Sequence, residues 1–437
     1  MTSYYFIGIK GTGMASLACM LNDLGNDVSG SDLEKHFFTE DPLRARNIEI
    51  LPFDPANIKD GMHVIIGNAF LEDFPEVAAA RSNPTCICAR YHEFLGEFLK
   101  QYHLISVAGS HGKTTTTGLL SAMLSHYDKT GWLIGDGTGH VTEDTKYFCL
   151  ESDEFRRFFL SYHPDYAIVT NVEIDHVDYY KDDDDYRSAY EAFTRNIAKT
   201  LVICGDDAEA RKMNIACDHL WYGVQDNDDI QAVNIEERPD GMSFDVLFHK
   251  ELYAHFDLPF VGRHLLLNSL GVIGIGILEG VPAETIEEGL ASFHGVKRRF
   301  VIEQVGENTF VDDYAHHPTE VGVTIDSARI RFPGRKLVAI FKPHRASRVL
   351  YFADQFAAQL SKADKVYLCD FTSIDDKQDG TDIDITYLQK RLPGSVVIPE
   401  NEEGARILAE EEPAVYLFMS SKDIYGLADL VKRYHKH

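Results

Sequence analysis

Seven consecutive residues, Gly109-Ser110-His111-Gly112-Lys113-Thr114-Thr115, carry the combination that grips the phosphates of a nucleotide. The glycines let the backbone curl until successive N–H groups point inward. The lysine adds a full positive charge, and a threonine hydroxyl can reach a phosphate-bound Mg²⁺. The spacing is two residues shorter than the common G-x-x-x-x-G-K-[ST] loop, which would need a glycine where Val107 stands. The run still sits where such loops work. It follows the apolar stretch "HLISVA" and precedes a segment with Leu119, Leu120, Met123 and Leu124 on one helical side. A plain turn before a helix would explain the glycines but not Gly-Lys-Thr-Thr at that junction. The residues predict a nucleoside triphosphate site with Mg²⁺ or Mn²⁺ as its cation.

Two more residues are placed to share that cation with Thr114. Glu151 ends the apolar run "YFCLE", and His176 follows the run "YAIVT" within "NVEIDHVDYY". Ligands of open α/β sheets gather at the carboxyl ends of parallel strands. Mg²⁺ prefers oxygen, so a histidine ligand is unusual on first principles. Glu154 reads as a solvated helix start, with a second metal or substrate carboxylate as the alternative, and the charge run "KDDDDY" (181–186) as a solvated turn.

Further along, residues 295–321 crowd Lys297, Arg298 and Arg299 with Asp312, Asp313, Tyr314, His316 and His317. Taken singly these are a solvated strand start and a turn; together they are richer than either. Arg345 and Arg348 in "FKPHRASRV" supply guanidinium forks, which suit a carboxylate. Near the start, Gly8, Gly11-Thr12-Gly13-Met14 and, nineteen residues beyond Gly13, Asp32 follow a strand-like run. This is close to a dinucleotide fingerprint, but Ser16 replaces the third glycine. A pyrophosphate on the helix N-terminus fits a UDP-sugar as well as NAD.

The elements that must position these groups form three blocks: 1–99, 100–294 and 295–437. Each alternates short apolar runs with helix-length segments, which predicts α/β folding with mostly parallel sheets covered on both faces. Alternating stretches between about 229 and 262 predict antiparallel strands inserted in the middle block. The chain has 437 residues and a formal net charge of −27, so the molecule as a whole repels nucleic acid and anionic membrane. No run approaches the ~18 apolar residues of a membrane span. The start lacks a basic, apolar leader, which predicts a cytoplasmic protein. The seven cysteines, mostly within apolar strands, read as buried thiols rather than a Cys86–Cys88 metal pair.

The short form G-x-x-G-K-T-T resembles the phosphate loop of the Mur ligase family, the ATP-dependent amide ligases of peptidoglycan synthesis. The likeness runs through all three blocks in order. "GIKGTGM" (8–14) is similar to the family's G-I-x-G-x-G-M loop, and "TNVEIDHVD" to its TN-x-E-x-DH-x-D, matching Asn171, Glu173, Asp175, His176 and Asp178. "GVKRRF" and "DDYAHHPTE" resemble the alanine-adding branch. The resemblance implies a UDP-binding Rossmann-like domain using Gly8, Gly11, Thr12, Gly13, Met14 and Asp32. It implies an ATP site of Gly109, Ser110, His111, Gly112, Lys113, Thr114, Thr115, His264, Asn268, Arg299 and Asp313. Metal would be held by Thr114, Glu151 and His176, and the amino acid by Tyr314, His316, Arg345 and Arg348. Lys113, His176, Arg299 and His316 would carry the chemistry. The expected substrates are UDP-N-acetylmuramate, L-alanine and ATP, joined through an acyl phosphate by a monomer or weak homodimer. Departures are Leu265 for an asparagine near the adenine, "FKPHRASR" for F-Q-P-H-R-Y-T-R, and Ser420, Ser421 and Lys422 for small residues. The carbamylated lysine of some siblings has no match. The alternatives are a paralogous ligase taking another amino acid or recycling murein peptides, an NAD-dependent oxidoreductase, and a non-catalytic nucleotide binder.

Overall fold

A computed structural model describes residues 2–296, 298–372, 376, 380–411 and 413–435. Three sheets follow one another along the chain. The first is wholly parallel, in the order β3-β2-β1-β4-β5. Its strands are β1 (Ser3–Ile7), β2 (Asp27–Ser31), β3 (Glu49–Leu51), β4 (His63–Ile66) and β5 (Ile87–Arg90). Strand β2 is not among the apolar runs of the sequence. It reads Asp-Val-Ser-Gly-Ser, and it pairs beside β1 because small residues let the chains close up. A Cβ on Gly30 would lie 2.5 Å from the carbonyl oxygen of Phe6.

The second sheet has ten strands, in the order β15-β14-β13-β12-β11-β10-β6-β9-β7-β8. They are β6 (His103–Ala108), β7 (Thr130–Ile134), β8 (Thr138–His140), β9 (Tyr147–Glu151), β10 (Tyr166–Val169), β11 (Thr200–Cys204), β12 (Asp218–Gly223), β13 (Ile230–Arg238), β14 (Gly241–Phe248) and β15 (Glu251–Leu258). The expected antiparallel excursion is the meander β13-β14-β15. The β7–β8 hairpin at the other edge is an addition. It lies against the first helix of the chain, Thr12–Asp23, where a Cβ on Gly139 would lie 3.1 Å from Met20 Sδ.

The third sheet is ordered β16-β17-β21-β18-β19-β20. It comprises β16 (Val301–Val305), β17 (Asn308–Asp313), β18 (Leu337–Phe341), β19 (Lys365–Leu368), β20 (Val396–Val397) and β21 (Val415–Met419). Only the β16–β17 pair is antiparallel among the described strands.

Strand order positions the site. β6 carries the phosphate loop and lies between β10 and β9. The ends of all three therefore meet at one edge, although they stand at Ala108, Glu151 and Val169 in the chain. The helix Lys113–Tyr127 that follows the loop buries Leu119, Leu120, Met123 and Leu124 completely. The run 181–186 is not a bare turn. It starts the helix Asp183–Thr194, with Asp182 capping the Asp185 amide at 2.8 Å and three aspartates in the first turn, where the helix dipole favours negative charge. All seven cysteines are free thiols. No described helix is long and apolar enough to cross a membrane.

Candidate active site

The phosphate loop curls at its two glycines. Gly109 has φ 140° and Gly112 φ 80°, and a side chain on Gly109 would collide with the Thr170 hydroxyl. The loop is pinned from the neighbouring strand ends. Ser110 donates to the carbonyl of Glu173 at 2.5 Å, and the His111 amide donates to Asn171 Oδ1 at 2.9 Å. Lys113 Nζ donates to the carbonyls of Gly109 and Ser110 and to Glu154 Oε2 at 2.7 Å.

Glu154 is thus a correction to the sequence reading. It is 1% exposed and stands between Lys113 and His176, whose Nε2 lies 3.6 Å from Oε1. It is buried because the chain turns back at residues 154–161, and Tyr180 donates to its carbonyl oxygen at 2.5 Å. Burial raises the Glu154 carboxyl, but Lys113 and His176 outweigh it and leave it below the usual range.

The expected metal ligands divide into two groups. Thr114 Oγ1 donates to Glu151 Oε1 at 3.1 Å, and Glu151 Oε2 accepts the Gly135 amide at 2.6 Å. Burial holds the Glu151 carboxyl above its ordinary range. Two oxygens this close suit a hard divalent cation such as Mg²⁺. His176 instead stands with Asp153 and Glu154, their ligand atoms all within 4.8 Å of one another. Its Nδ1 is buried with no hydrogen-bond partner. Thr114 and Glu151 therefore fit the cation directly, and His176 fits the far side of Lys113.

Opposite the loop, the third sheet contributes Arg299, Asp313, Tyr314 and His316 at and after the end of β17 or just before β16. Arg299 lies 3.1 Å from Glu320 Oε1 and its guanidinium carbon is 5.0 Å from the Tyr314 ring. His316 Nδ1 is 3.0 Å from both the Tyr314 carbonyl and Glu320 Oε2. Glu320 also lies 3.6 Å from His111 Nδ1, while Glu173 lies 3.3 Å from His111 Nε2. One buried carboxylate thus braces three expected site residues. Glu320 is not among the expected site residues; its place in the first turn of the helix Pro318–Arg331, three residues past His317, is the signal the sequence offers for it.

Burial disfavours the charged His111 ring, yet Glu173 and Glu320 lift it to about 10. Burial raises the Asp313 carboxyl to about 6 against the pull of Arg299. Burial and Arg299 together hold the His264 imidazole down at about 4, so it is neutral.

Between the two sheets is a cavity of about 770 Å³. At one end are His111, Gly112 and Thr115, with Asn268, His264, Arg299 and Asp313 around it. Phe260, Val261, Leu265 and Phe293 form apolar wall. The volume and lining fit a nucleotide, with Leu265 offering it contact but no hydrogen bond.

Of the two arginines expected on the amino acid, only one is open. Arg348 is 5% exposed and makes two bonds, 3.2 and 2.7 Å, to Asp175. Arg345 is paired with Asp178 at 31% and 24% exposure. The departures are internally compensated. Lys342 is buried and donates to Glu400 Oε2 and the Asp423 carbonyl, each at 2.8 Å. Arg298 holds the loop after β21 by the carbonyls of Ser420 and Lys422, at 2.7 and 3.0 Å. Lys297 lies outside the described residues.

In the first sheet, Gly8 has φ 84° and packs under the Phe70 ring, Gly13 packs under Tyr91, and the helix begins at Thr12 just after Gly11. Met14 is a core residue, 6% exposed, whose side chain packs against Gly11, where an added Cβ would lie 3.5 Å from Met14 Cγ. Asp32 accepts the amides of Lys10 and Leu33 at 2.7 and 2.8 Å, bracing the loop between β1 and the helix.

Three models of one family match the chain in succession: "Mur ligase family, catalytic domain" over 3–103, "Mur ligase middle domain" over 107–276 and "Mur ligase, glutamate ligase domain" over 298–421. Among solved structures, the UDP-N-acetylmuramate–alanine ligase of Thermotoga maritima is 27% identical with a TM-score of 0.81, covering 99% of each chain. The UDP-N-acetylmuramate:L-alanyl-γ-D-glutamyl-meso-diaminopimelate ligase of Neisseria meningitides is also 27% identical, with a TM-score of 0.60, covering 68% of this chain and 100% of that one. The murein peptide ligase of Psychrobacter arcticus shares the fold at 24% identity and a TM-score of 0.71, over 100% of this chain and 99% of that one. With three models of one family matching in succession and a solved member alike over nearly its whole length, this protein belongs to the Mur ligase family of ATP-dependent ligases.

Proposed function

We propose that the protein joins L-alanine to the lactyl carboxyl group of UDP-N-acetylmuramate at the expense of ATP. The observation that supports this reading is that His111, Gly112 and Thr115 of the loop line one nucleotide-sized cavity with Arg299 and Asp313, while Lys113 and Thr114 of the same loop pair with Glu154 and Glu151. The loop amides and Lys113 bind the β- and γ-phosphates, while Asp313 takes the ribose and the apolar wall takes the base. Thr114 and Glu151 would hold Mg²⁺, with His176 as a further candidate ligand, and the ion would supply charge that neutralises the phosphoryl oxygens.

The lactyl carboxylate oxygen attacks the γ-phosphorus, the bond to ADP breaks, and an acyl phosphate forms. Arg299 and Lys113 stabilise the charge on the transferring oxygens. The amine of alanine then attacks the acyl carbon. Inorganic phosphate leaves with the electron pair, and His316, oriented by Glu320, takes the amine proton. The UDP end of the substrate lies on Gly8, Gly11, Thr12 and Gly13 at the first helix N-terminus, where backbone amides favour a pyrophosphate.

A second reading, a ligase for a murein peptide, is supported by the likeness to the Neisseria enzyme. The test is ATP-dependent phosphate release with UDP-N-acetylmuramate against a panel of single amino acids and L-alanyl-γ-D-glutamyl-meso-diaminopimelate. Release on L-alanine but not on the peptide is expected. Release on the peptide alone replaces the first reading by the second.

A further inference from the structure

We propose that His111, Glu173 and His317 form a site for one Zn²⁺ ion, separate from the Mg²⁺ niche of Thr114 and Glu151, that ties the phosphate loop to the third sheet. The inference goes beyond the ligase reading and does not depend on which amine donor the enzyme takes.

The site starts from a buried histidine that holds nothing. His317 is 0% exposed, and neither its Nδ1 nor its Nε2 has a hydrogen-bond partner among the described residues. Buried polar atoms are nearly always paired, so two orphans on one ring call for a ligand. The ring lies beside that of His111, their centroids 4.4 Å apart. His111, Glu173 and His317 each offer one ligand atom, and these atoms all lie within 4.8 Å of one another. The other such cluster among the described residues, Asp153, Glu154 and His176, is already engaged with Lys113.

The donor set selects the metal. Two imidazoles and a carboxylate suit Zn²⁺, whereas Mg²⁺ prefers oxygen. With bonds of about 2.0–2.1 Å, two ligand atoms on one tetrahedral zinc stand roughly 3.3 Å apart. His111 Nε2 and Glu173 Oε2 already have that spacing, at 3.3 Å. Partners behind the ligands are in place as well. His111 Nδ1 lies 3.6 Å from Glu320 Oε1, the carboxylate–histidine pairing that orients the ring at zinc sites. Thr319 donates to both Glu173 oxygens at 2.7 Å. Glu173 is 38% exposed, which gives the ion a way in and water a fourth position.

In the metal-free protein a proton stands where the ion would. Against burial, Glu173 and Glu320 lift His111 to about 10, so both its nitrogens carry protons at neutral pH. Burial and His111 hold His317 down at about 3, which leaves its ring neutral with a lone pair for a metal. Zn²⁺ replaces the Nε2 proton of His111, and the Nδ1 proton stays with Glu320. One proton therefore leaves for each ion bound. Because His111 follows β6 and His317 follows β17, the bound ion joins the second and third sheets.

The experiment takes the full chain, stripped with EDTA and returned to buffer with excess Mg²⁺. It is titrated calorimetrically with zinc chloride in two buffers of different ionisation enthalpy. One Zn²⁺ per chain should bind, with release of about one proton. His317→Ala and Glu173→Gln should each weaken zinc at least ~100-fold, beyond the ~10–100-fold that outer partners are worth, and Glu320→Gln by that smaller factor. Glu151→Gln, in the Mg²⁺ niche, should bind zinc as the wild type does. Zinc should raise the melting temperature of the wild type and leave that of Glu173→Gln unmoved. Glu173 is partly exposed, so its variant decides the matter even where His317→Ala fails to fold. Absence of saturable zinc binding overturns the proposal. So does zinc affinity that is unchanged in Glu173→Gln or lost in Glu151→Gln, since the ion then sits elsewhere.

Discussion

Glu154→Gln tests how the phosphate loop is held before nucleotide arrives. The Lys113 ammonium is 14% exposed and lies 2.7 Å from a carboxylate that is 1% exposed. Its other acceptors, the carbonyls of Gly109 and Ser110, carry only partial charge. Glutamine keeps the shape and one acceptor but withdraws the full negative charge. Breaking a buried pair from one side costs about 3–5 kcal/mol, and the retained amide contact offsets roughly 1–2 of these. The net expectation is about 2–3 kcal/mol. At about 2–4 °C per kcal/mol for a domain of this size, the melting temperature should fall by roughly 4–12 °C.

Nucleotide should act in the opposite direction. In the wild type the phosphates must draw Lys113 away from Glu154; in the variant they supply the charge it lacks. A non-hydrolysable ATP analogue with Mg²⁺ should therefore raise the melting temperature of Glu154→Gln by more than that of the wild type. Differential scanning fluorimetry, with calorimetric titration of the same analogue, reads both effects. Equal melting temperatures without nucleotide, or a smaller nucleotide-induced shift in the variant, would refute the reasoning.

Lys113→Ala should lower phosphate release by at least ~10²–10³-fold, as loss of a preorganised charge at a transferring phosphoryl group does, in protein whose circular dichroism is unchanged; comparable turnover contradicts the phosphate assignment. Asp175→Asn leaves Arg348 buried without its anion, so the urea midpoint should fall by the equivalent of about 3–5 kcal/mol and the seam should become open to limited proteolysis. His111 carries a pH signature: Glu173 and Glu320 overcome burial and lift it to about 10, above the ~6.5 of an unfolded histidine. Its contribution to stability is therefore complete below about pH 6.5 and lost as pH rises through about 10. His111→Gln should flatten the decline of the denaturation midpoint between pH 7 and 10, and parallel wild-type and variant profiles would contradict the assignment.

Much of this could be read before any coordinates. Strand-loop-helix order around residues 103–127 follows from the apolar run, the glycines and the helical spacing, all local properties. The α/β class and the antiparallel excursion at 229–262 are legible for the same reason, since periodicity reports which faces are buried. Strand β2 escaped because its burial depends on small residues closing against β1, and nothing in Asp-Val-Ser-Gly-Ser announces that neighbour. The run 181–186 was misjudged because a string of aspartates suits a helix start as well as a turn, and only Tyr186, fully buried behind it, selects the helix.

Residue types and spacing alone placed Lys113 and Thr114 at a strand-loop-helix junction suited to phosphate and put Glu151 at the end of an apolar run. Which charges stand opposite one another was decided by the tertiary structure. Placing β6 between β10 and β9 brings Glu154 to Lys113, and seating the third sheet across the cavity brings Glu320 to His111 and Arg299. The same docking spends Arg348 on Asp175 and leaves Arg345 with Asp178 at the edge of water. The physical reason is one of range. Backbone propensity and hydrophobic period act over a few residues, whereas a buried charge takes its partner from whatever the packed strands bring within reach, however distant in the chain.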